Sequence, residues 1–187
     1  MGRAIRGVAL PWAGRILLGF VFLVGAGLGA LVLVGGSEDP LYTIEHEIEI
    51  DAPPDHVWSI LSDFEAYPEW NPYVVRIEGQ AAVGARIRAT LVQDDWPDPV
   101  VVAPTVVRFE PGRLLAWHGE VLAPGLHDTD HGFELTATST GRTRLRQYEE
   151  FRGGLARFVP APADRPAIAR AFQAMNQALA ARAAGGN

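Results

Sequence analysis

The chain contains no cysteine and no lysine. The first absence removes a disulfide framework, a thiolate nucleophile and any cysteine-ligated zinc; a domain outside the cytoplasm would have to hold together by packing. The second leaves arginine as the only basic residue. After Gly36 there are 13 arginines against 22 aspartates and glutamates, a formal charge of −9, which is opposite to what a phosphate backbone demands. Nucleic acid is therefore not an expected partner, and a polybasic grip on anionic lipid is not expected either. The sequence also lacks a phosphate-cradling glycine loop, a nucleophile elbow and a dinucleotide fingerprint. No cofactor is expected.

Charge is missing altogether from Ile16 to Val34, "ILLGFVFLVGAGLGALVLV", a run about long enough to cross a bilayer as a helix. Arg3, Arg6 and Arg15 precede it and Glu38 and Asp39 follow, so the basic flank should stay cytoplasmic and the remainder emerge on the other side. This divides the chain into 1–36, a cytoplasmic stub and transmembrane anchor, and 37–187, a folded domain on the extracytoplasmic side of a single-pass membrane protein. A cleaved signal peptide is the competing reading, since Ala26, Gly27, Gly29 and Ala30 are small enough for processing. The apolar run continues through Leu31 to Val34 without a polar break, which favours the anchor.

Within the domain, Tyr42 to Asp51 ("YTIEHEIEID") alternates strictly, with Ile44, His46, Ile48 and Ile50 on one face, as in a strand buried on one side. Pro53 and Pro54 close it, and Val57, Ile60, Leu61 and Phe64 recur at helical spacing. An aromatic corner, "DFEAYPEWNP", follows at Asp63 to Pro72; Phe64 should complete the core, Tyr67 and Trp70 are candidates for a pocket rim, and structural closure is favoured over ligand contact for the corner. Alternating or β-branched runs come next, at 73–78, 85–93, 100–110, 113–122, 127–138 and 143–151, split by turn residues such as Pro111-Gly112 and Gly141. Trp96, in the proline-rich "DDWPDPVVVAP", is either an exposed loop anchor or a gate. Asp164 is a plausible N-cap, and Ile168, Phe172, Met175 and Leu179 form the apolar stripe of a last helix. The expected domain is α+β: an antiparallel sheet of about seven strands covered by one long C-terminal helix.

Several stretches carry a family likeness. "IEIDAPPDHVWSILSDFEAYPEWNPYVVRIEG", "LLAWHGEVLAPGLHDTDHGFEL", "TRLRQYEEFRGGL" and "FQAMNQALAARA" together resemble the START-like (SRPBCC) superfamily, in its polyketide cyclase/dehydrase and lipid-transport branch. The resemblance covers roughly Thr43 to Ala183 and implies a helix-grip fold, in which a curved sheet grips the C-terminal helix around an apolar pocket. It implies little about chemistry, because fold does not fix function.

Strand parity indicates which side chains would see that pocket. Leu115, Trp117, Gly119 and Val121 share one face; Phe133 and Leu135 carry His131, Thr129 and His127 with them; Leu145 and Phe151 place Gln147 and Glu149 inward. The expected ligand-binding set is Trp70, Trp117, His131, Phe133, Gln147, Glu149, Phe172, Met175 and His46. His131 and Glu149 are the candidate acid and base, although these polar groups could instead simply satisfy one another. His127 and His131 would lie roughly 13 Å apart on a strand, too far to share a metal ion, so no metal is expected. Three functions compete: a membrane-anchored domain binding a hydrophobic small molecule or lipid, a cyclase- or dehydratase-like enzyme acting on a polyketide-like substrate, and a non-catalytic interaction module with a filled core.

Overall fold

A computed structural model describes Gly27, Gly29 and residues 39–93, 96–121, 123–160 and 163–185. Apart from those two glycines, the apolar run at 16–34 and the boundary at 36 lie outside the described residues. Among the described residues, no helix is long and apolar enough to cross a membrane.

Strand β1 (Tyr42–Ile50) buries Ile44 and Ile50 and exposes Thr43, Glu45, Glu47 and Glu49, as its alternation requires. Pro54 opens helix α1 (Pro54–Leu61), where its missing N–H costs no intrahelical bond. A short 3-10 turn at Phe64–Ala66 and the single-turn α2 (Tyr67–Trp70) form the aromatic corner. Seven strands follow: β2 (Val74–Glu78), β3 (Arg88–Leu91), β4 (Val100–Val102), β5 (Thr105–Glu110), β6 (Leu114–Glu120), β7 (Asp128–Ala137) and β8 (Thr143–Arg152). Helix α3 (Arg165–Ala183) closes the domain.

Among the described residues there are thus eight strands, because the run expected as one strand from Val100 to Glu110 breaks between β4 and β5 at Ala103-Pro104. Proline has no N–H to give to a ladder, and the two halves go to different sheets. One sheet has the order β1-β8-β7-β6-β5 and the other β2-β3-β4, with every pairing antiparallel. They meet where residues 84–87 run beside 104–106. There Gly84 N–H donates to Val106 O (2.8 Å), Val106 N–H to Ala85 O (2.9 Å) and Ile87 N–H to Pro104 O (2.9 Å). Phe172, Met175 and Leu179 of α3 are fully buried against the inner face. The architecture is the helix-grip: an α+β fold in which a curved antiparallel sheet wraps a C-terminal helix. Asp164 occupies the cap position of α3, but its side chain makes no capping bond.

Register defines two ends. Tyr42 lies opposite Phe151, Phe151 opposite Thr129 and Thr129 opposite Gly119, so one rung across the sheet joins the start of β1 to the ends of β8 and β6. This is called the open end below. At the closed end lie Ile50, Thr143 and Ala137, also in register.

The aromatic corner belongs to the closed end, so Tyr67 and Trp70 serve the structural closure favoured from the sequence and not the pocket rim for which they are also candidates. Tyr67 is fully buried and donates its hydroxyl to Leu61 O (2.8 Å). Arg182, in the last turn of α3, pairs with Glu69 at 2.7 Å. Asn71 Oδ1 accepts from the N–H of Tyr73 (3.0 Å) and of Val74 (2.9 Å). That side chain supplies the backbone bonds of the bend and starts β2.

Candidate functional site

Between the two sheets, at the open end, the grip does not close. A cavity of about 550 Å3 remains, within the range of roughly 300–1,000 Å3 typical of small-molecule sites. The three-stranded sheet contributes Leu91 and the Val100–Val102 edge, with Tyr73 just before β2; the five-stranded sheet contributes Trp117, His131, Glu149 and Phe151; Val159, Pro160 and Ile168 close a third side. Most of this surface is carbon.

Of the residues expected to bind ligand, Trp117, His131 and Glu149 line the cavity. Trp70, Phe133, Gln147, Phe172, Met175 and His46 do not. Phe133, Gln147, Phe172 and Met175 are fully buried in the layer behind it, because α3 comes down onto the sheet there and fills the space. His46 sits beneath the middle of α3, where Asn176 Nδ2 donates to its Nδ1 at 3.0 Å. Trp70 packs on Tyr67 at the closed end, with ring centroids 5.0 Å apart.

His131 is held from all sides. Trp117 stacks on it (5.0 Å, 13°), and Phe133 and Phe172 approach at 5.0 and 5.1 Å. Gln147 Nε2 lies 3.1 Å from its Nε2; with Gln147 donating, the imidazole carries its proton on Nδ1. That nitrogen faces Glu149, the residue directly opposite on β8, at 4.0 Å from Oε2. The gap is too long for a direct hydrogen bond. It suits a single ligand oxygen placed between the two.

Burial sets the charge states. It pushes the His131 imidazole down to about 3 and the Glu149 carboxyl up to about 7, because both charged forms lose hydration in the apolar wall. At neutral pH the pair is therefore an uncharged imidazole beside a partly protonated acid. Tyr73, also on the wall, has its hydroxyl raised by burial and by the nearby Glu149. His127 lines the cavity as well: its Nε2 donates to Val159 O (2.7 Å), and its buried Nδ1 has no protein partner. In that tautomer Nδ1 is an acceptor. The site thus offers the His127 acceptor and the His131–Glu149 pair, with the Tyr73 hydroxyl and the side chains of Arg86, Glu120 and Thr129 also on a mainly apolar lining. Among the described residues no group of His, Asp and Glu is arranged to hold a metal ion.

Sequence reasoning did not single out Tyr73, the Val100–Val102 edge or Val159 as lining residues, whereas Phe151, inward by parity, does line the cavity. Trp96, whose sequence setting suits either a loop anchor or a gate, borders the cavity. Val121, expected inward beside Trp117, lines the mouth but is half exposed, since β6 ends at Glu120 before its parity can hold it in. The one available signal was the apolar character of "VVV" in a proline-broken edge segment, which has no buried face of its own to satisfy.

Several solved structures are similar in fold. The Zhui aromatase/cyclase from Streptomyces sp. R1128 shares 19% identity, with 78% of this chain and 99% of that chain covered and a TM-score of 0.58. A START superfamily protein from Mycobacterium smegmatis shares 19%, over 76% and 97%, at 0.60. A truncated norcoclaurine synthase from Thalictrum flavum shares 16%, over 81% and 99%, at 0.58. Identities this low speak for the fold alone. No curated protein matches the chain. The family described as polyketide cyclase / dehydrase and lipid transport matches residues 42–184, which is most of the chain and nearly all of the grip, and the protein belongs to that family.

Proposed function

We propose that the protein is a membrane-anchored START-like domain that binds a hydrophobic small molecule or lipid in the cavity at the open end of the grip. The observation that carries this reading is the cavity itself, about 550 Å3 walled mainly by carbon; an apolar occupant would remove that surface from water. The uncharged run from Ile16 to Val34 and its basic flank support a single-pass anchor with the N-terminus cytoplasmic. A tether of that kind raises the local concentration of the domain at a lipid source. The cavity weighs against the third reading, a module with a filled core.

The test is native mass spectrometry of the full chain extracted from its own membrane. An apolar ligand should co-purify, and Leu91→Trp combined with Ile168→Phe, which fills the hollow, should abolish that mass. Repeated ligand-free preparations, together with no uptake from a lipid panel, would dismiss the binding reading.

The catalytic alternative has one specific observation in its favour: His131 and Glu149 face the cavity across one inter-strand gap, in complementary neutral states. In a cyclase- or dehydratase-like reaction on a polyketide-like substrate they would act as acid and base. His131→Ala and Glu149→Gln should then each lower turnover of a candidate aromatic precursor by roughly 10²-fold or more, while ligand uptake persists.

A further inference from the structure

Large apolar side chains are exposed at few places among the described residues, and most share one location. Val100, Val101, Val102, Val121 and Val159 are exposed and line the cavity. Phe158, 65% exposed, adjoins Val159, and the exposed Leu41 bonds through its N–H to Phe151 O on the cavity wall. Only Val83 and Val107 lie elsewhere. The open end therefore carries an apolar rim contributed by four separate segments of chain, a grouping larger than scattered exposure would give.

The same end receives the chain. Residue Tyr42 is on the open-end rung, opposite Phe151, and seven residues, Gly35 to Leu41, separate it from the uncharged run ending at Val34. Fully extended, such a linker spans at most about 25 Å. If the run from Ile16 to Val34 lies in a bilayer, the open end cannot stand far from the surface. The opposite tip, Ser139-Thr140, is a ten-residue strand further away, or roughly 33 Å.

We infer that the open end docks on the lipid bilayer, with Phe158, Val159, Val121 and Val101 in the interfacial layer and the cavity mouth facing the leaflet. The inference rests on the anchoring part of the function proposed above and adds an orientation to it: an apolar ligand passes between bilayer and cavity without crossing water. The partner is the lipid surface. A second copy of the chain pairing through the β4 edge, or the chain's own run at 16–34 folded over the mouth, would cover the same rim in other ways.

The full chain has no cysteine, so single sites can be labelled. Phe158→Cys, Val121→Cys, Val101→Cys and, as the distal control, Thr140→Cys are each coupled to an environment-sensitive fluorophore and reconstituted into phosphatidylcholine vesicles. Quenching by doxyl-labelled lipid is compared with quenching by aqueous iodide, and flotation reports membrane attachment. Lipid quenching at the first three sites should exceed that at Thr140→Cys at least threefold, and Phe158→Asp should lower it at Val101→Cys at least twofold with flotation unchanged. Equal iodide quenching at all four sites in a floating chain overturns the docking and leaves the anchor standing. Shielding from both quenchers, with cross-linking between copies or within one chain, assigns the rim to one of the other occupants and overturns it too. A chain that stays at the bottom of the gradient overturns anchor and docking together. Uptake of a conjugated polyene fatty acid by the detergent-solubilised chain reads the cavity alone, so failure of ligand binding is not mistaken for failure of docking.

Discussion

The closed and open ends of the grip handle apolar surface in opposite ways. At the closed end Tyr67, Leu179 and Leu61 are fully buried, and hydroxyls go under with partners, Tyr67 on Leu61 O and Thr143 Oγ1 on Ala52 O at 2.7 Å, although Trp70 Nε1 and Asn71 Nδ2 are buried there without one. At the open end valines and a phenylalanine face outward, and His127 Nδ1 and the His131–Glu149 gap are left for something other than protein. One sequence produces both, so the open end is not a failure to pack. The chain that can close one end of a sheet over a helix has left the other apolar and unfilled, which is what a binding hollow requires and folding alone does not.

The largest test of this contrast is Phe172→Ala. The side chain is fully buried between Tyr73 and His131, so its loss should cost about 3–5 kcal/mol, read as a lowered urea midpoint. If the cost is under about 1 kcal/mol, the layer behind the cavity is not the packed support described here. Next comes Gly153→Ala, at the open end. Gly153 has φ +90°, and a Cβ there would meet Leu126 O at 2.4 Å, so strain and collision should together cost about 2–3 kcal/mol. This would show that the open end is held by backbone geometry as much as by burial.

Glu149→Gln should act with the opposite sign and through pH. Burial lifts the folded carboxyl from its ordinary 4.5 to about 7. As the pH rises past 4.5 the unfolded chain gives up the proton first, and the contribution of Glu149 to stability falls until the folded group ionises near 7. His131, lowered from 6.5 to about 3, behaves in reverse: its contribution is complete above 6.5 and shrinks as the pH falls toward 3. Removing only the carboxylate should therefore stabilise the protein on the alkaline side, by on the order of 1–2 kcal/mol at pH 8. The full shift is not expected, because 18% of the Glu149 side chain still meets solvent. Denaturant titrations of both proteins at pH 4.5 and 8 would read the difference; a gap that does not widen with pH refutes the buried-acid assignment. The smallest effect belongs to Val101→Ser on the exposed edge, within about 0.5 kcal/mol of wild type, although it removes apolar surface just as Phe172→Ala does.

Much of the grip was legible because its central strands alternate without interruption. In β7 and β8 each of His131, Phe133, Leu135, Leu145, Gln147 and Phe151 faces inward as parity requires, and all are buried. Legibility ended where a proline or a strand terminus replaced periodicity. Pro104 divided a run that reads as continuous, and Val121 escaped its face one residue beyond the end of β6. Depth was also invisible: parity places Phe133 and His131 on one side but does not say which of them α3 will cover. The aromatic corner was legible as a structural closure but not in its place: three aromatics in a turn also suit a rim, and the Leu61 carbonyl that lets the Tyr67 hydroxyl go under is supplied by the fold.

The short seam between residues 84–87 and 104–106 has a mechanical consequence. The two walls of the cavity are cantilevers joined by three backbone hydrogen bonds, whereas β7 and β8 are laced along their whole length. Backbone lacing is therefore unequal: the β2–β3–β4 wall is tied to the other sheet only by that seam and by core contacts such as Tyr73 on Phe172, while the wall bearing His131 and Glu149 is hydrogen-bonded along its length. Were the cavity to take occupants of different girth, the less laced wall is the one expected to give, with the polar pair as the constant reference against which each is aligned.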